Sequence, residues 1–552
     1  MSDTDINGAL QLIESVEDLI AVALSHLKQK CLVKGRVDSS LLDQHQLVCF
    51  DLAVSTAELM AAGSSLRYAL KVTDTSGVER ALALGFTAEA IANTSNRLYA
   101  RPADCGIGKD ELDRVFADKR LSDFLEQQMS SASLAALGER VSLLGGETGA
   151  RLLDDEKEMM RRTFQQFSDA VISPLAEGIH RGDLMIPDEI LEGLKELGCF
   201  GLSVPVRYGG LLPDDREDNL GMIVVTEELS RGSLGGAGSL ITRPEIMARA
   251  LLEGGTEEQR AKWLPRLAIG EPLCGVAITE PDFGSDVASM RLKATRTEDG
   301  WLLNGGKTWS TFAGKAEVLL ILARTDPDMS LGHRGLSLFL VEKPEFDGHD
   351  FEHVQPGGGA IRGQAIATIG YRGMHSFELF FDDYFVPASE LIGEGQGLGK
   401  GFYFTMRGFM GGRIQTAARA CGVMQAAFEA AVSYSNDRKV FGKPVSDYQL
   451  TRAKLARMAA SLTASRQFTY TVGRMMDEGG GQVEASLVKL FACKAAEWIT
   501  RESMQIHGGM GYAEESAVSR YYVDARVLSI FEGTEETLAL KVVGRSLVEN
   551  AV

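Results

Sequence analysis

The sequence predicts a mainly helical protein with a central β domain and a helical extension ahead of the core. Three observations predict it. Apolar residues recur at three- and four-residue spacing over 9–27, 47–70, 413–436 and 448–477, the period of helices with one buried face. From Cys274 to about Pro387 the pattern changes to short β-branched and aromatic stretches, such as 318–323 and 335–341, divided by Gly and Asp turns. The third observation is a likeness between the two ends of the chain. Asp43-Gln44-His45-Gln46-Leu47-Val48 resembles Ser446-Asp447-Tyr448-Gln449-Leu450-Thr451. Arg114-Val115-Phe116-Ala117-Asp118-Lys119-Arg120 resembles Arg520-Tyr521-Tyr522-Val523-Asp524-Ala525-Arg526 at nearly the same offset.

These patterns divide the 552 residues into four parts. Residues 1–150 read as a degenerate copy of the C-terminal helical domain, closed by a linker around Gly145-Gly146. Residues 151–273 form a first helical domain, 274–392 the β domain and 393–552 the C-terminal helical domain. A hydrophobic content of 45% with 24% charged residues is that of an ordinary globular protein. A net charge of -19 argues against broad binding to nucleic acid or anionic membranes. The 7 cysteines are scattered, odd in number and without a CxxC pair, which suits free thiols in a reducing compartment. No metal is expected. The acidic start Ser2-Asp3-Thr4-Asp5 is unlike a signal or transit peptide, and no apolar run is expected to reach bilayer length. The expectation is a cytoplasmic protein without a membrane partner.

Five stretches carry chemistry. Ala277-Ile278-Thr279-Glu280-Pro281-Asp282-Phe283-Gly284-Ser285 opens the β domain with a loop whose N–H groups and hydroxyls suit a flavin edge and a pyrophosphate; a plain turn is the bland alternative. Asn304-Gly305-Gly306-Lys307-Thr308-Trp309-Ser310-Thr311 offers a Trp to cover one ring face, although a core Trp would be as common. Asp437-Arg438-Lys439-Val440-Phe441-Gly442-Lys443, followed by Gln449, joins a fixed guanidinium to a stacking ring, as a phosphate and an adenine require. In Gln505-Ile506-His507-Gly508-Gly509 the glycines permit close backbone approach. The fifth is Phe531-Glu532-Gly533-Thr534, a carboxylate on a tight turn.

Any one of these is weak. In this order, over about 154–548, they resemble the acyl-CoA dehydrogenase family. The resemblance implies a helical, β, helical core with FAD bound between the last two domains. It implies that Thr279, Ser285, Trp309, Thr311 and Thr534 line the flavin, with Ala277, Ile278, Gly284, Ser310 and Glu536 beside them. Arg438, Phe441, Gln449, Gln505, Gly508 and Gly509 would reach the FAD of a neighbouring subunit. Glu532 would be the catalytic base, with its own N–H and Gly533 at the thioester. Some relatives carry the base near Arg413 instead, where this chain has Gly411 and Gly412. Arg413 matches a substrate-region arginine.

Within the family, the long extension and the overall wording most resemble members that act on a short, α-branched acyl-CoA with a free carboxylate, and the resemblance implies such a substrate. Such a substrate needs a cation at the pocket end. Arg243 lies where the pocket-bottom helix should run; an ion pair with Glu245 is its ordinary alternative. Arg372 is a second candidate. Other short- or branched-chain acyl-CoAs, and an acyl-CoA oxidase, remain as alternatives. The resemblance implies electron-transferring flavoprotein as acceptor. The fused copy, covering the face through which relatives pair dimers, implies a homodimer.

Overall fold

The computed structural model describes residues 2–73 and 77–551, apart from the side chain of Met410. They gather into two compact units, Met1–Glu158 with Thr416–Val552, and Met159–Gln415.

Unit one is helical, and both ends of the chain build it with a similar run of elements, the extension adding a short helix at Ser39–Leu42. The extension supplies a long helix (Asp3–Cys31), a two-residue hairpin (Leu32–Val33 with Arg36–Val37), a 3₁₀ turn (Asp43–His45) and helices Gln46–Lys71 and Val78–Ala100. The C-terminal part supplies the helix Gly401–Asp437, of which the residues beyond Gln415 belong here, then the hairpin Lys439–Val440 with Lys443–Pro444. The turn Val445–Asp447 and helices Gln449–Asp477 and Gln482–His507 follow. The two hairpin tips agree in backbone: φ is +50° and +77° at Lys34-Gly35 and +51° and +87° at Phe441-Gly442. Two consecutive left-handed residues are the mark of a type I′ turn. The C-terminal tip carries Phe441 where the N-terminal one carries Lys34, so the two hairpins share a shape but not the aromatic ring.

The extension packs directly on the C-terminal helices. The helix Ser131–Leu143 lies along Gln449–Asp477 so closely that a Cβ at Gly138 would stand 1.9 Å from the Arg452 carbonyl oxygen. Polar contacts line the seam. Asn436 donates to the Ser142 carbonyl (3.1 Å), Gln425 to that of Gly146 (3.1 Å), and Arg466 to the Thr148 hydroxyl (3.0 Å). Phe86 and Phe491 meet edge to face at 5.4 Å. One expectation is corrected: Ser39–Lys71 is long and apolar enough to cross a bilayer, its most apolar 18 residues having mean hydropathy 1.4, but 67% of those 18 are buried in the fold. Core helices covered on nearly every side read the same way as membrane spans.

Unit two places helices such as Ser173–Gly182, Asn219–Gly232, Thr242–Gly254 and Glu257–Ala268 ahead of an 8-stranded sheet. Its strands are β1 (Cys274–Ala277), β2 (Lys293–Arg296), β3 (Gly300–Thr311), β4 (Val318–Arg324), β5 (Leu336–Glu342), β6 (Asp350–Val354), β7 (Ala360–Ala365) and β8 (Ser376–Pro387). They run in the order β1-β4-β2-β3-β8-β7-β6, with β5 on β4. Every residue of β4 is buried, as an unbroken apolar run predicts for a strand covered on both faces. Helices Thr242–Gly254 and Glu257–Ala268 share one core with it, through Ile246, Leu251, Trp263, Leu320 and Leu338. All seven cysteines are buried and unbridged.

Replacing Gly138 by Ala is expected to lower the thermal midpoint of the full chain by an overpacking cost of about 1–3 kcal/mol, because backbone, not a flexible side chain, blocks the new methyl. A midpoint equal to that of the wild type in calorimetry would show that the seam yields.

Candidate active site

Glu532 sits in unit one on a turn that ordinary residues avoid. Its φ is +55° and that of Gly533 is +96°, two left-handed positions in succession. Gly tolerates this freely, whereas a carboxylate residue held so is strained. The turn is fixed from both sides. The buried Lys489 ammonium, on the helix Gln482–His507, donates to the Phe531 carbonyl at 2.7 Å and to that of Gly533 at 2.5 Å. The Arg419 guanidinium lies over the Phe531 ring, 5.3 Å from its centroid. On the far side Thr534 caps the next turn by accepting from the Thr537 N–H, and Lys494 pairs with Glu535 at 3.0 Å. Glu532 itself is half-buried, and Glu536 is exposed.

The expected flavin residues of unit two lie on β1, on the loop after it and at the end of β3. Ala277 and Ile278 are buried, Thr279 is half-buried, and Gly284 and Ser285 are exposed on the loop. Register shifts where β3 meets β8: Ser310 faces Phe377 while Lys307 faces Leu379, so two residues of β3 oppose one. This bulge, with Trp309 at φ +54°, turns Trp309 outward to 56% exposure between the buried Thr308 and Ser310. Thr311 exchanges a hydrogen bond with Ser376 at 2.9 Å.

A buried ion pair locks loop and strand together. Lys307 donates to Glu280 at 2.9 Å and to the Ile278 carbonyl at 2.7 Å. Glu280 also accepts from the N–H groups of Arg291 (2.7 Å) and Leu292 (2.8 Å). The Thr308 N–H donates to the Thr279 carbonyl at 2.9 Å. Burial lowers Lys307 from the usual lysine range to about 8, and the facing Glu280 opposes that shift.

The remaining candidates of unit one are all exposed: Arg438, Phe441, Gln449, Gln505, Gly508 and Gly509. Phe441 projects from its hairpin at 94% exposure. The ring of His507 stacks on Tyr434, 4.2 Å between centroids, which holds the Gln505–Gly509 corner beside the helix end that leads to Arg438.

Arg243, on Thr242–Gly254, is 7% exposed, and its guanidinium donates to the Ser239 carbonyl at 3.4 Å. Glu245 does not pair with it. That carboxylate accepts from Arg249 at 2.8 Å and from Gln415, whose oxygen in turn accepts from Thr242 at 2.7 Å. No carboxylate lies in ion-pair range of Arg243 among the described residues. Arg372, the second candidate, is committed elsewhere: it donates to the carbonyls of Thr368 (3.1 Å) and His180 (3.0 Å) and pairs with Asp183. Arg413 is half-buried on Gly401–Asp437.

Sequence reasoning missed two contributors. Lys489 could have been found as the one cation among Leu487, Val488, Leu490 and Phe491, a misfit in an apolar run. Glu245 stands against Gly411, whose added Cβ would lie 2.3 Å from its Oε1; only the packing of two helices reveals that.

The acyl-CoA dehydrogenase N-terminal, middle and C-terminal domain families match residues 154–271, 275–384 and 399–548. The chain belongs to the acyl-CoA dehydrogenase family, an oxidoreductase family dependent on FAD. It is 38% identical to (2S)-methylsuccinyl-CoA dehydrogenase of Cereibacter sphaeroides over 98% of both chains. Butyryl-CoA dehydrogenase from Megasphaera elsdenii is similar in structure, with TM-score 0.65 and 33% identity over 72% of this chain and 98% of that one. A glutaryl-CoA dehydrogenase from Mycobacterium smegmatis in complex with FADH2 gives TM-score 0.64 and 29% identity over 73% and 97%.

The residues present fit a flavin. The Ser310 hydroxyl is buried without a hydrogen-bond partner, beside a Trp turned outward by a bulge. A buried hydroxyl left so is costly unless a ligand satisfies it.

Lys489→Met leaves the Phe531 and Gly533 carbonyls without that donor, a loss of roughly 1–3 kcal/mol per group. Amide hydrogen exchange at Glu532–Thr534 is expected to accelerate and kcat to fall by up to about a hundredfold, with FAD content retained. Unchanged exchange at these amides would remove Lys489 from this role.

Proposed function

We propose that this protein oxidises a short, α-branched acyl-CoA with a free carboxylate, (2S)-methylsuccinyl-CoA to mesaconyl-CoA fitting best. The observation that carries the reading is Arg243, a buried guanidinium with no carboxylate in ion-pair range among the described residues. A buried charge in that state is expensive and favours an anionic ligand. The relative from Cereibacter sphaeroides supports the same reading, because its similarity runs through the extension as well as the core.

The chemistry asks for a base at Cα and a polarised thioester, since a Cα–H is barely acidic. Glu532 accepts the Cα proton. Its strained turn presents both the carboxylate and the loop N–H groups, and the N–H of Glu532 donates to the thioester oxygen, where negative charge develops. FAD, when bound, supplies the hydride acceptor for Cβ at its N5. Glu245, near the alternative base position, is bound to Arg249 and Gln415 and leaves the task to Glu532. Thr279, Ser285, Trp309, Ser310 and Thr311 would hold the flavin, with Thr534. The exposed Arg438, Phe441, Gln449, Gln505 and Gly509 suit a cofactor bound to a second copy, which supports a homodimer. Electron-transferring flavoprotein is the acceptor we assign, and the cytoplasm the compartment.

Anaerobic mixing with (2S)-methylsuccinyl-CoA should bleach the yellow holoenzyme faster than butyryl-CoA or glutaryl-CoA does; preference for a plain acyl chain would remove the carboxylate reading. Glu532→Gln should cut the bleaching rate by about 10²–10⁴ while FAD stays bound, and a variant that bleaches normally would exclude Glu532 as base. Arg243→Met should lower kcat/KM for the carboxylate substrate by roughly ten- to a hundredfold, the value of a charged hydrogen bond. Turnover of butyryl-CoA should change little, and equal losses on both substrates would point to misfolding of the pocket instead.

A further inference from the structure

Asp183, His349 and His375 meet in unit two, far from one another in sequence. Asp183 is the left-handed residue (φ +51°) that ends the helix Ser173–Gly182. His349 precedes β6, and its carbonyl accepts from the Ala365 N–H at 2.6 Å. His375 precedes β8, is buried, and accepts at its carbonyl from the Phe312 N–H at 2.8 Å. The donor atoms of the three converge. His349 Nε2 is 3.1 Å from His375 Nε2 and 3.7 Å from Asp183 Oδ2, and His375 Nε2 is 3.2 Å from Asp183 Oδ1. The Asp183 carbonyl oxygen adds a fourth atom, 3.0 Å from His349 Nε2.

The hydrogen bond on the other side of His375 decides how this cluster reads. Its Nδ1 stands 3.1 Å from the Gly373 carbonyl and so carries the proton. In a neutral ring that leaves Nε2 as a lone pair. This lone pair faces a carboxylate oxygen and a second ring nitrogen, both electron-rich. Acceptors at such separations repel one another unless a cation or a shared proton lies among them. A histidine that donates its remote N–H to a backbone carbonyl and directs its other nitrogen at a shared point is the arrangement of a metal ligand. The spacing agrees. Bonds of about 2.0–2.1 Å in a tetrahedral site put neighbouring ligand atoms roughly 3.3 Å apart, against the observed 3.1, 3.2 and 3.7 Å. Two imidazoles and a carboxylate suit a borderline first-row divalent ion, not the oxygen-rich shell of calcium or magnesium.

We propose that Asp183, His349 and His375 form a zinc site that ties the end of Ser173–Gly182 to the loops entering β6 and β8. Arg372, 3.4 Å from Asp183 Oδ1, shares the carboxylate and lowers the affinity by its own charge. The site is structural in its effect. His375 is followed by Ser376, which holds Thr311, so the ion braces the bulged end of β3 that carries Trp309. Residues 166 and 26 positions apart leave no local motif, which is why no metal was expected from the sequence.

The test is zinc binding to the untagged holoenzyme, by competition with a chromophoric chelator and by the thermal midpoint with and without zinc. The expected result is one zinc per chain and a raised midpoint that a chelator reverses. His349→Ala, at a half-exposed position that the fold tolerates, should weaken binding at least about tenfold and abolish the thermal shift. Asp183→Asn should do likewise, while His353→Ala, a histidine outside the cluster, should leave both unchanged. Absence of tight zinc on the wild type, or equal binding by His349→Ala and Asp183→Asn, overturns the proposal and leaves a shared proton as the link between the rings.

Discussion

Bringing an ammonium into a protein interior costs several kcal/mol before compensation, and unit one accepts that cost at Lys489. The carbonyls on either side of Glu532 are among the groups that offset it. The bargain works in both directions: the lysine can be buried because the turn supplies oxygens, and the turn can stay left-handed because the lysine grips both ends of it. A backbone that free chains visit rarely becomes the ground state. The orientation of Glu532 and of the neighbouring N–H groups therefore depends on a cation whose bonds go to the backbone on either side of it.

Unit two uses the same device. Lys307 and Glu280 are buried together, and between them they bind β3, the carbonyl of Ile278 and the backbone at Arg291 and Leu292. Buried ion pairs contribute little net stability compared with apolar packing. Their value is geometric: directional bonds fix a loop that glycine, serine and threonine alone would leave loose. Both loops expected to serve the reaction are thus built from residues poor at self-organisation, and each is positioned by a lysine reaching in from a regular element.

Much of this was legible. Helices announced themselves by the spacing of residues such as Leu455, Met458 and Leu462, all buried, and β4 by the apolar run 318–323. The chemistry-bearing stretches were legible as a set because each needs an unusual local composition. Other features were not. A lone lysine in an apolar helix says nothing about what it meets, and the approach of Glu245 to Gly411 and Gln415 depends on how two helices cross. Arg372 shows the limit well: its charge suggested a substrate contact, whereas two carbonyls and Asp183 already hold it. Membrane-like hydropathy in Ser39–Lys71 likewise reflects burial by neighbouring helices, which composition cannot distinguish from lipid. The four parts read from the sequence follow covalent order, while compactness follows packing.

That packing has a consequence for synthesis. Unit one is assembled from Met1–Glu158 and Thr416–Val552, with all of Met159–Gln415 between them in the chain. Domains usually fold in the order in which they leave the ribosome. Here the first segment made must wait for the last. Its helices carry apolar faces, Phe86 among them, whose partners such as Phe491 are translated hundreds of residues later. Met159–Gln415, contiguous in sequence, can complete itself in the interval. The nascent extension is thus a bundle with an open flank, and its protection until the C-terminus arrives becomes a matter of chaperones and translation speed.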